Sequence, residues 1–226
     1  MDNIEYGLGA IPSPKDIRDY VATATIQDFP DSFELPMPEV KNQGNVGACV
    51  AHALATVVEY FEMIQENSTT KLSTAYIYGN RSNTDYKVVG MVTREAIDAL
   101  LKYGDVTLEE YPSNTEVPGA IELFEYFAIE LIPNGVKRRI SSYYRLYDVA
   151  AMKATLLQRR PIVFTIDWFK DTRVNSEGLL TSQYKSYQVA TVWSSMDGMK
   201  KVGCSKTPMA RHLAMADEQF FLIHIL

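Results

Sequence analysis

One cysteine stands where its thiol is chemically special. Cys49 follows Gln43 by six residues, across a Gly-rich loop, and an apolar segment of helical spacing starts at Cys49 itself. The first turn of a helix carries partial positive charge and N–H groups that favour a thiolate over a thiol. A thiolate is a nucleophile. The spacing therefore indicates nucleophilic chemistry at Cys49. The alternative is a purely structural role, as a buried cysteine on a core helix.

The segment around this cysteine resembles the active-site segment of papain-family cysteine peptidases. It reads EVKNQGNVGACVAHALATVVEY, from Glu39 to Tyr60, with Gln, a Gly-rich turn and Cys at the family's spacing. The resemblance implies that Cys49 is the nucleophile. It also implies that the oxyanion accepts hydrogen bonds from the Cys49 backbone N–H and the Gln43 side-chain amide. Gly44 and Gly47 allow the loop between them to fold back.

A second stretch of resemblance runs from Leu72 to Pro112 and includes Gly90 and Met91. In the family the Gly-Met segment lines the pocket for the substrate's second residue. Gly90 and Met91 are therefore candidate substrate contacts, and a turn glycine with a core methionine is the alternative. The resemblance implies a polypeptide substrate. It implies no metal and no organic cofactor.

The elements that position these residues can be predicted from apolar spacing and capping signals. Apolar positions at helical spacing follow Cys49 as far as Ile64 and predict a long, one-sided core helix. Ser73 is a candidate N-cap for a short helix, and Thr93 for the helix TREAIDALLKY. Gly104 stands where a left-handed C-terminal glycine belongs.

The second half of the chain changes to a β-rich composition. A strand-like run, a short helix and the apolar strand ending at Asp167 follow one another. The resemblance implies an α+β, papain-like fold with a helical left domain, an incomplete β-barrel-like right domain and an active cleft between them. The predicted divisions are an extended lead-in (1–38), the helical domain carrying the cysteine (39–135), the start of the β-rich domain (136–182) and an atypical tail (183–226).

The charged residues of the lead-in have a simple interpretation. The run PSPKDIRDY, from Pro12 to Tyr20, resembles the lead-in of bacterial papain-like proteins. Without that resemblance, Asp16, Arg18 and Asp19 are interpreted as solvated surface charges.

The base that a cysteine peptidase needs does not stand where the resemblance predicts it. The family has a Gly-His motif some twenty residues after the apolar strand, and later an Asn-Ser-Trp-Gly motif, but neither follows Leu180. His212 and His224 stand in unlike settings and are interpreted as structural or exposed. His52 lies one turn after Cys49 and is a candidate surrogate base. Since it shares the nucleophile's helix, we interpret it as a structural hydrogen-bonding residue.

A shift of reading frame is a hypothesis for the missing motifs. Degenerate codons from Tyr187 onward, read from the third base of each, permit Ser-Gly-Gly-His, with the His across Ala190 and Thr191. Beyond Cys204 they permit Gln-Asn-Ser-Tyr-Gly. The order and spacing resemble the family's two motifs. The hypothesis is that residues from about Gln183 to the last written residue are a frame-shifted tail.

Composition excludes several classes of function. The chain has 226 residues, 46% of them hydrophobic, and a net charge of −6, which gives no support for nucleic-acid binding. No apolar run approaches the roughly 20 residues of a membrane span, and the N-terminus lacks the pattern of a signal peptide. Cys49 and Cys204 do not make a disulfide framework. We therefore expect a cytoplasmic protein, of undetermined oligomeric state.

The sequence thus predicts a papain-like cysteine peptidase. Its catalysis is expected to be impaired, because the sequence lacks the family's His and Asn motifs. Cys49 is expected to be alkylated faster than Cys204. One alternative is a non-catalytic papain-fold module that binds peptides in the same cleft. Another is a soluble α+β protein in which Cys49 is inert.

Overall fold

The computed structural model describes most of the first two thirds of the chain and selected strands after it. From residue 166 onward, and at residues 32 and 149, the description is confined to the backbone. The described residues are 9–11, 13–14, 16, 19–21, 30, 32–44, 46–81, 89–113, 128–167, 173–174, 180–181, 190–192, 202–205 and 219–224.

The first half of the chain is built on the helix that begins at the cysteine. Helix α1 starts at Cys49, as the apolar spacing predicts, and ends at a left-handed Asn67. Ser73 caps the second helix, since its side chain accepts from the Tyr76 N–H at 3.1 Å. The helices are α1 (Cys49–Glu66), α2 (Thr74–Gly79), α3 (Thr93–Tyr103), α4 (Ile132–Gly135) and α5 (Val149–Leu157), with 3-10 turns at Ile129–Leu131 and Val136–Arg138.

Thr93 does not cap α3 as predicted. The helix begins at Thr93 itself, and the N-cap residue is Val92, which makes no side-chain cap. The buried Thr93 hydroxyl instead lies 3.1 Å from the Thr165 hydroxyl in the second half of the chain. A hydrogen bond between the two halves of the chain satisfies the buried Thr93 hydroxyl as well as a helix cap would. The capping pattern in the sequence therefore predicted the wrong partner for Thr93. Gly104 follows the helix with a φ of 65°, but its ψ of −153° lies outside the left-handed helical region, so it is not the left-handed cap that the sequence predicts.

The second half forms an open antiparallel sheet. Four strands lie in the order β4-β10-β5-β8, while β2 pairs with β9 and β6 with β7. A parallel pair, β1 with β3, joins the lead-in to the helical half. Within the described residues the four-stranded sheet does not close into the expected barrel. The strands are β1 (Ala10–Ile11), β2 (Ser32–Leu35), β3 (Met91–Val92), β4 (Ser142–Leu146), β5 (Ile162–Asp167), β6 (Arg173–Val174), β7 (Leu180–Thr181), β8 (Ala190–Val192), β9 (Val202–Ser205) and β10 (Gln219–His224).

The tail, residues 183–226, contributes three of these strands. β8 and β10 flank β5 on its two sides, and β9 pairs with β2. A frame-shifted tail was expected to leave β5 without a full set of neighbours. The described backbone gives β5 a neighbour on each side, so that expected consequence is not met. The frame-shift hypothesis concerns the coding sequence and stays a prediction.

The interpretation of the lead-in charges is wrong for Asp19. Its side chain is 5% exposed, and its Oδ2 lies 2.6 Å from Nη2 of Arg94 and 3.7 Å from Nη1 of Arg145. The Arg145 N–H also donates to the Tyr20 carbonyl at 2.7 Å. The lead-in is therefore fastened to α3 and to β4 by buried charges. Arg18 lies outside the described residues.

A single apolar cluster joins the two halves of the chain. The buried face of α1 packs against α2 and α3 and against residues from the second half, so the halves share one core. Tyr60 on α1 also donates its hydroxyl to the Arg159 carbonyl at 2.9 Å. Among the described residues, no helix combines the length and the apolarity that crossing a membrane requires. The shared core includes Leu54, Val58, Ile97, Leu100, Ile140, Leu156 and Val163.

Asp105 is a buried carboxyl in this fold. Its side chain accepts from the Val106 N–H at 2.8 Å through Oδ1, while Oδ2 has no hydrogen-bond partner among the described residues. Burial, reinforced by the charge of Glu59, raises the pKa of Asp105 well above its ordinary value of 3.8. The carboxyl is therefore neutral in the folded protein over a range in which the unfolded chain ionises it.

We expect Asp105→Asn to stabilise the protein at neutral pH and to flatten its stability profile. Above pH 3.8 the unfolded state binds fewer protons than the native state, so stability falls as pH rises toward the folded-state pKa. An amide keeps the neutral shape and removes this slope. The measurement is denaturant unfolding from pH 4 upward, with exposed Glu66→Gln as control. An unchanged slope in Asp105→Asn would contradict the assignment.

Candidate active site

Cys49, the candidate nucleophile, is the first residue of helix α1. Cys49 is a fully buried thiol rather than half of a disulfide. Among the described residues, no side chain caps the helix, and its first turn contains no acidic residue. The partial positive charge of the helix terminus is therefore not offset by a neighbouring carboxylate in that turn. The helix terminus therefore favours negative charge at the Cys49 sulfur, while the complete burial of the thiol opposes it.

The loop before the helix turns Gln43 back toward Cys49. Gly44 has a φ of 57°, a left-handed conformation that suits glycine, and its N–H donates to Asn42 Oδ1 at 2.8 Å. The buried Gln43 side chain donates through Nε2 to the Val46 carbonyl at 3.1 Å. This bond orients the amide group of Gln43. The turn therefore brings Gln43 and Cys49 into one compact loop.

The lead-in lies against this loop. A Cβ on Gly9 would come within 1.8 Å of the Gly47 carbonyl oxygen, so only glycine fits there. The Gly9 carbonyl in turn accepts from the Met91 N–H at 2.7 Å. β1 thus runs between the loop that precedes Cys49 and the segment that carries the candidate substrate contacts.

Gly90 and Met91 lie against Gly9 of the lead-in, which itself contacts Gly47 of the loop. The Gly90 N–H donates to the Tyr78 hydroxyl at 3.0 Å, and the Met91 side chain is buried in the core. Because the Met91 N–H is engaged by Gly9, a peptide that pairs with this backbone has to displace the lead-in strand. The role of Gly90 and Met91 in substrate binding stays a prediction.

We expect Gly9→Ala to increase the rate at which Cys49 is alkylated. The added methyl group cannot share space with Gly47, so the strand at residues 9–11 must move off the loop. If that strand contributes to the burial of the thiol, iodoacetamide gains access to it. The measurement is the pseudo-first-order alkylation rate followed by mass spectrometry, with Ala10→Gly as a control for altered backbone freedom. Equal rates would mean that the lead-in does not screen Cys49.

His52 is held within the protein rather than presented to a substrate. It is 2% exposed, and its Nδ1 lies 2.9 Å from the Ala48 carbonyl oxygen. Burial lowers the pKa of His52 to about 4, against opposing hydrogen bonds from the Ala48 and Asn42 backbone. The imidazole is therefore neutral at neutral pH, and with the proton on Nδ1 it donates to Ala48. This environment supports the structural interpretation of His52. His212 lies outside the described residues, and His224 is described only as backbone in β10.

Sequence reasoning missed an ion pair behind the site. Lys41, two residues before Gln43, forms a buried salt bridge with Glu59 of α1, and Glu59 also accepts from the Leu72 N–H at 2.6 Å. A signal was present in the sequence, because Glu59 interrupts the apolar positions of a core helix. A charge at such a position requires a partner.

Comparison with solved structures identifies the fold. Xylellain, a cysteine protease from Xylella fastidiosa, superimposes with a TM-score of 0.78 at 19% identity, covering 100% of this chain and 99% of xylellain. Digestive procathepsin L2 from Tenebrio molitor larval midgut gives 0.63 at 16% identity, covering 97% and 78%. Procathepsin L 3 from the same source gives 0.54 at 18%, covering 74% and 52%. No family model and no curated protein sequence matches the chain.

The chain therefore has the papain-like fold. The solved structures named above are cysteine proteases, and their similarity confirms the papain-like fold that the resemblance implies. The α+β class is confirmed as well. The open sheet agrees with the predicted incompleteness of the right domain.

Proposed function

We propose that this chain is a papain-like cysteine peptidase, with a polypeptide substrate. The observation that carries the proposal is the single compact loop that joins Gln43 to Cys49 at the start of α1, on a papain-like fold. In this proposal the loop supplies the nucleophile, Cys49, and the two oxyanion donors. The chemistry required for acyl transfer is a thiolate with donors aimed at the developing oxyanion.

The first step follows from these groups. The Cys49 sulfur bonds to the peptide carbonyl carbon, and the π electron pair moves to the oxygen. The resulting oxyanion accepts from the Cys49 N–H and from Gln43 Nε2. Collapse of this intermediate breaks the C–N bond, and the departing amine needs a proton. Neutral, buried His52 is poorly suited to give it, so we propose that turnover of the written chain is slow.

The test is peptide hydrolysis by the purified chain. Removing one oxyanion donor costs about 10²–10³ in kcat in other acyl-transfer enzymes, so Gln43→Ala is expected to lose that much. Cys49→Ala is expected to lose all thiol-dependent hydrolysis, while Cys204→Ser serves as the matched control for removing a thiol. Hydrolysis that survives Cys49→Ala would contradict the proposal.

A second function is favoured by one observation. The His52 ring is buried and neutral at neutral pH, and it is engaged with the Ala48 carbonyl rather than presented to a substrate. A papain-fold chain without a base can still hold a peptide beside Gly90 and Met91. This non-catalytic binding function predicts that wild type and Cys49→Ala bind the same peptides, by calorimetry, with equal affinity and without cleavage.

A further inference from the structure

Each of the two oxyanion donors is tied to α1 by a polar side chain of that helix. One tie is the His52 ring on the Ala48 carbonyl, and the other is the Lys41–Glu59 ion pair. Both side chains on α1 are buried, where an unsatisfied polar group is costly. Neither residue is used by the reaction proposed above.

The His52 contact acts on the peptide unit that contains the first donor. The Ala48 carbonyl and the Cys49 N–H belong to one peptide group, which is planar and close to rigid. The Ala48 oxygen accepts twice from His52, from the backbone N–H at 3.0 Å and from Nδ1 at 2.9 Å. Fixing the direction of this carbonyl therefore fixes the direction in which the Cys49 N–H points.

The Lys41–Glu59 pair acts on the loop segment that carries the second donor. Glu59 Oε1 is occupied by the Leu72 N–H, so its carboxylate is held in place while Oε2 binds Lys41. The Lys41 side chain is 17% exposed and that of Glu59 is 7% exposed, so solvent screens the pair weakly. Lys41 lies two residues before Gln43, whose carbonyl accepts from the Val46 N–H at 3.3 Å to close the turn, so an anchored Lys41 restricts the start of that turn.

We propose that His52 and the Lys41–Glu59 pair are positioning residues for the oxyanion hole, His52 for the Cys49 N–H and Lys41 for Gln43. This inference rests on the proposed function. Donors must lie within a few tenths of an ångström of their target, and a displacement of about 1 Å costs about 10²-fold in rate. The α1 helix thus carries the nucleophile and also holds the groups that stabilise its product.

The experiment separates the two ties by their dependence on Gln43. His52→Leu keeps apolar volume and removes the ring bond, while Lys41→Met removes the charge. Each is expected to lower kcat about tenfold with KM changed less than twofold, because donor orientation acts in the transition state. Lys41→Met should have no further effect in a Gln43→Ala background, whereas His52→Leu should still slow that variant. Lys41→Arg and His52→Asn, which retain a donor, should recover part of the loss.

Controls and contrary results are defined by the same helix. Thr56→Val removes a buried hydroxyl that bonds only to the His52 carbonyl at 2.9 Å, within α1, and should leave kcat unchanged. An effect of Lys41→Met that persists in Gln43→Ala would overturn the assignment of Lys41. A rise in KM at constant kcat for His52→Leu would overturn that of His52.

A readout without turnover decides the inference if the chain proves inactive. The wild type is assayed for peptide hydrolysis and for addition of the Cys49 sulfur to the carbonyl carbon of a peptide aldehyde. Failure in both assays would refute the proposed function. Amide hydrogen exchange then still tests the ties. His52→Leu should raise exchange at Val46 and Ala48, whose N–H groups bond within the loop, and Thr56→Val should not. Unchanged exchange in His52→Leu would overturn the inference independently of activity.

Discussion

Asp19→Asn is expected to lower the free energy of unfolding by roughly 3–5 kcal/mol. Removing one partner of a buried ion pair leaves the other charge without compensation. Here two guanidinium groups lose a carboxylate partner, because Arg94 and Arg145 both approach Asp19 Oδ2 and are themselves 11% and 4% exposed, and Arg94 keeps only the longer contact with Asp16. The substitution preserves side-chain volume, so packing contributes little to the loss. Urea unfolding of the two proteins measures the difference.

The lead-in provides its own control. Asp16 also approaches Arg94, but at 3.5 Å and with a side chain that is 21% exposed. Solvent screening limits such a pair to about 0–1 kcal/mol, so Asp16→Asn should be nearly neutral. Equal losses for the two variants would mean that Asp19 contributes only as a surface charge. A loss confined to Asp19 would show that the N-terminal segment is part of the folded unit.

The local features of the site were predictable from the sequence because their causes are local. The start of α1 at Cys49 follows from apolar spacing within one helix. The turn at Gln43 follows from glycines within a few residues of it. The position of Ser73 as a cap needs only the next three residues.

The features that were missed depend on residues far apart in the chain. Asp19 looked like a solvated charge because the two arginines that bind it lie in α3 and β4. Thr93 looked like a cap because its partner, Thr165, lies in the other half of the protein. Gly9 carried no signal, since its need for glycine comes from a contact with Gly47. Periodicity reports which face of an element is buried, and it does not report which element covers that face.

For the tail, residues 183–226, the sequence and the fold disagree on whether the segment belongs to the papain-like fold. Its residues lack the family's motifs and have weak apolar periodicity between Thr191 and Lys206. The backbone nonetheless places β8 beside β5, and β8 also contacts α1 and β1. The tail thus forms strands of the sheet, although its sequence lacks the His and Asn motifs that the family resemblance predicts. A change of reading frame would supply the missing His and Asn side chains. It would leave the number of residues before each strand unchanged.

Restoring the alternative frame after Tyr184 is expected to raise peptide hydrolysis by about 10²–10⁴, the contribution of a positioned acid–base residue. In that frame the new histidine arises across Ala190 and Thr191, the first two residues of β8. Contact between β8 and α1 would bring it toward the helix that begins with Cys49, from the side opposite the helical half. The increase should therefore require both the new histidine and Cys49, and each single alanine variant of the reframed chain should lose it.

The reframed tail should also pack better than the written one. Side chains selected for the right domain would cover the apolar face of β5 and protect the tail, whereas the written tail should be cleaved by trypsin beyond about Gly178. Limited proteolysis and the hydrolysis assay, run on both chains, make the comparison. A written tail that resists trypsin, together with a reframed chain that is no more active, would refute the frame-shift hypothesis. The non-catalytic peptide-binding function would then be the better account, because a folded right domain without a base can bind a peptide and cannot protonate its leaving group.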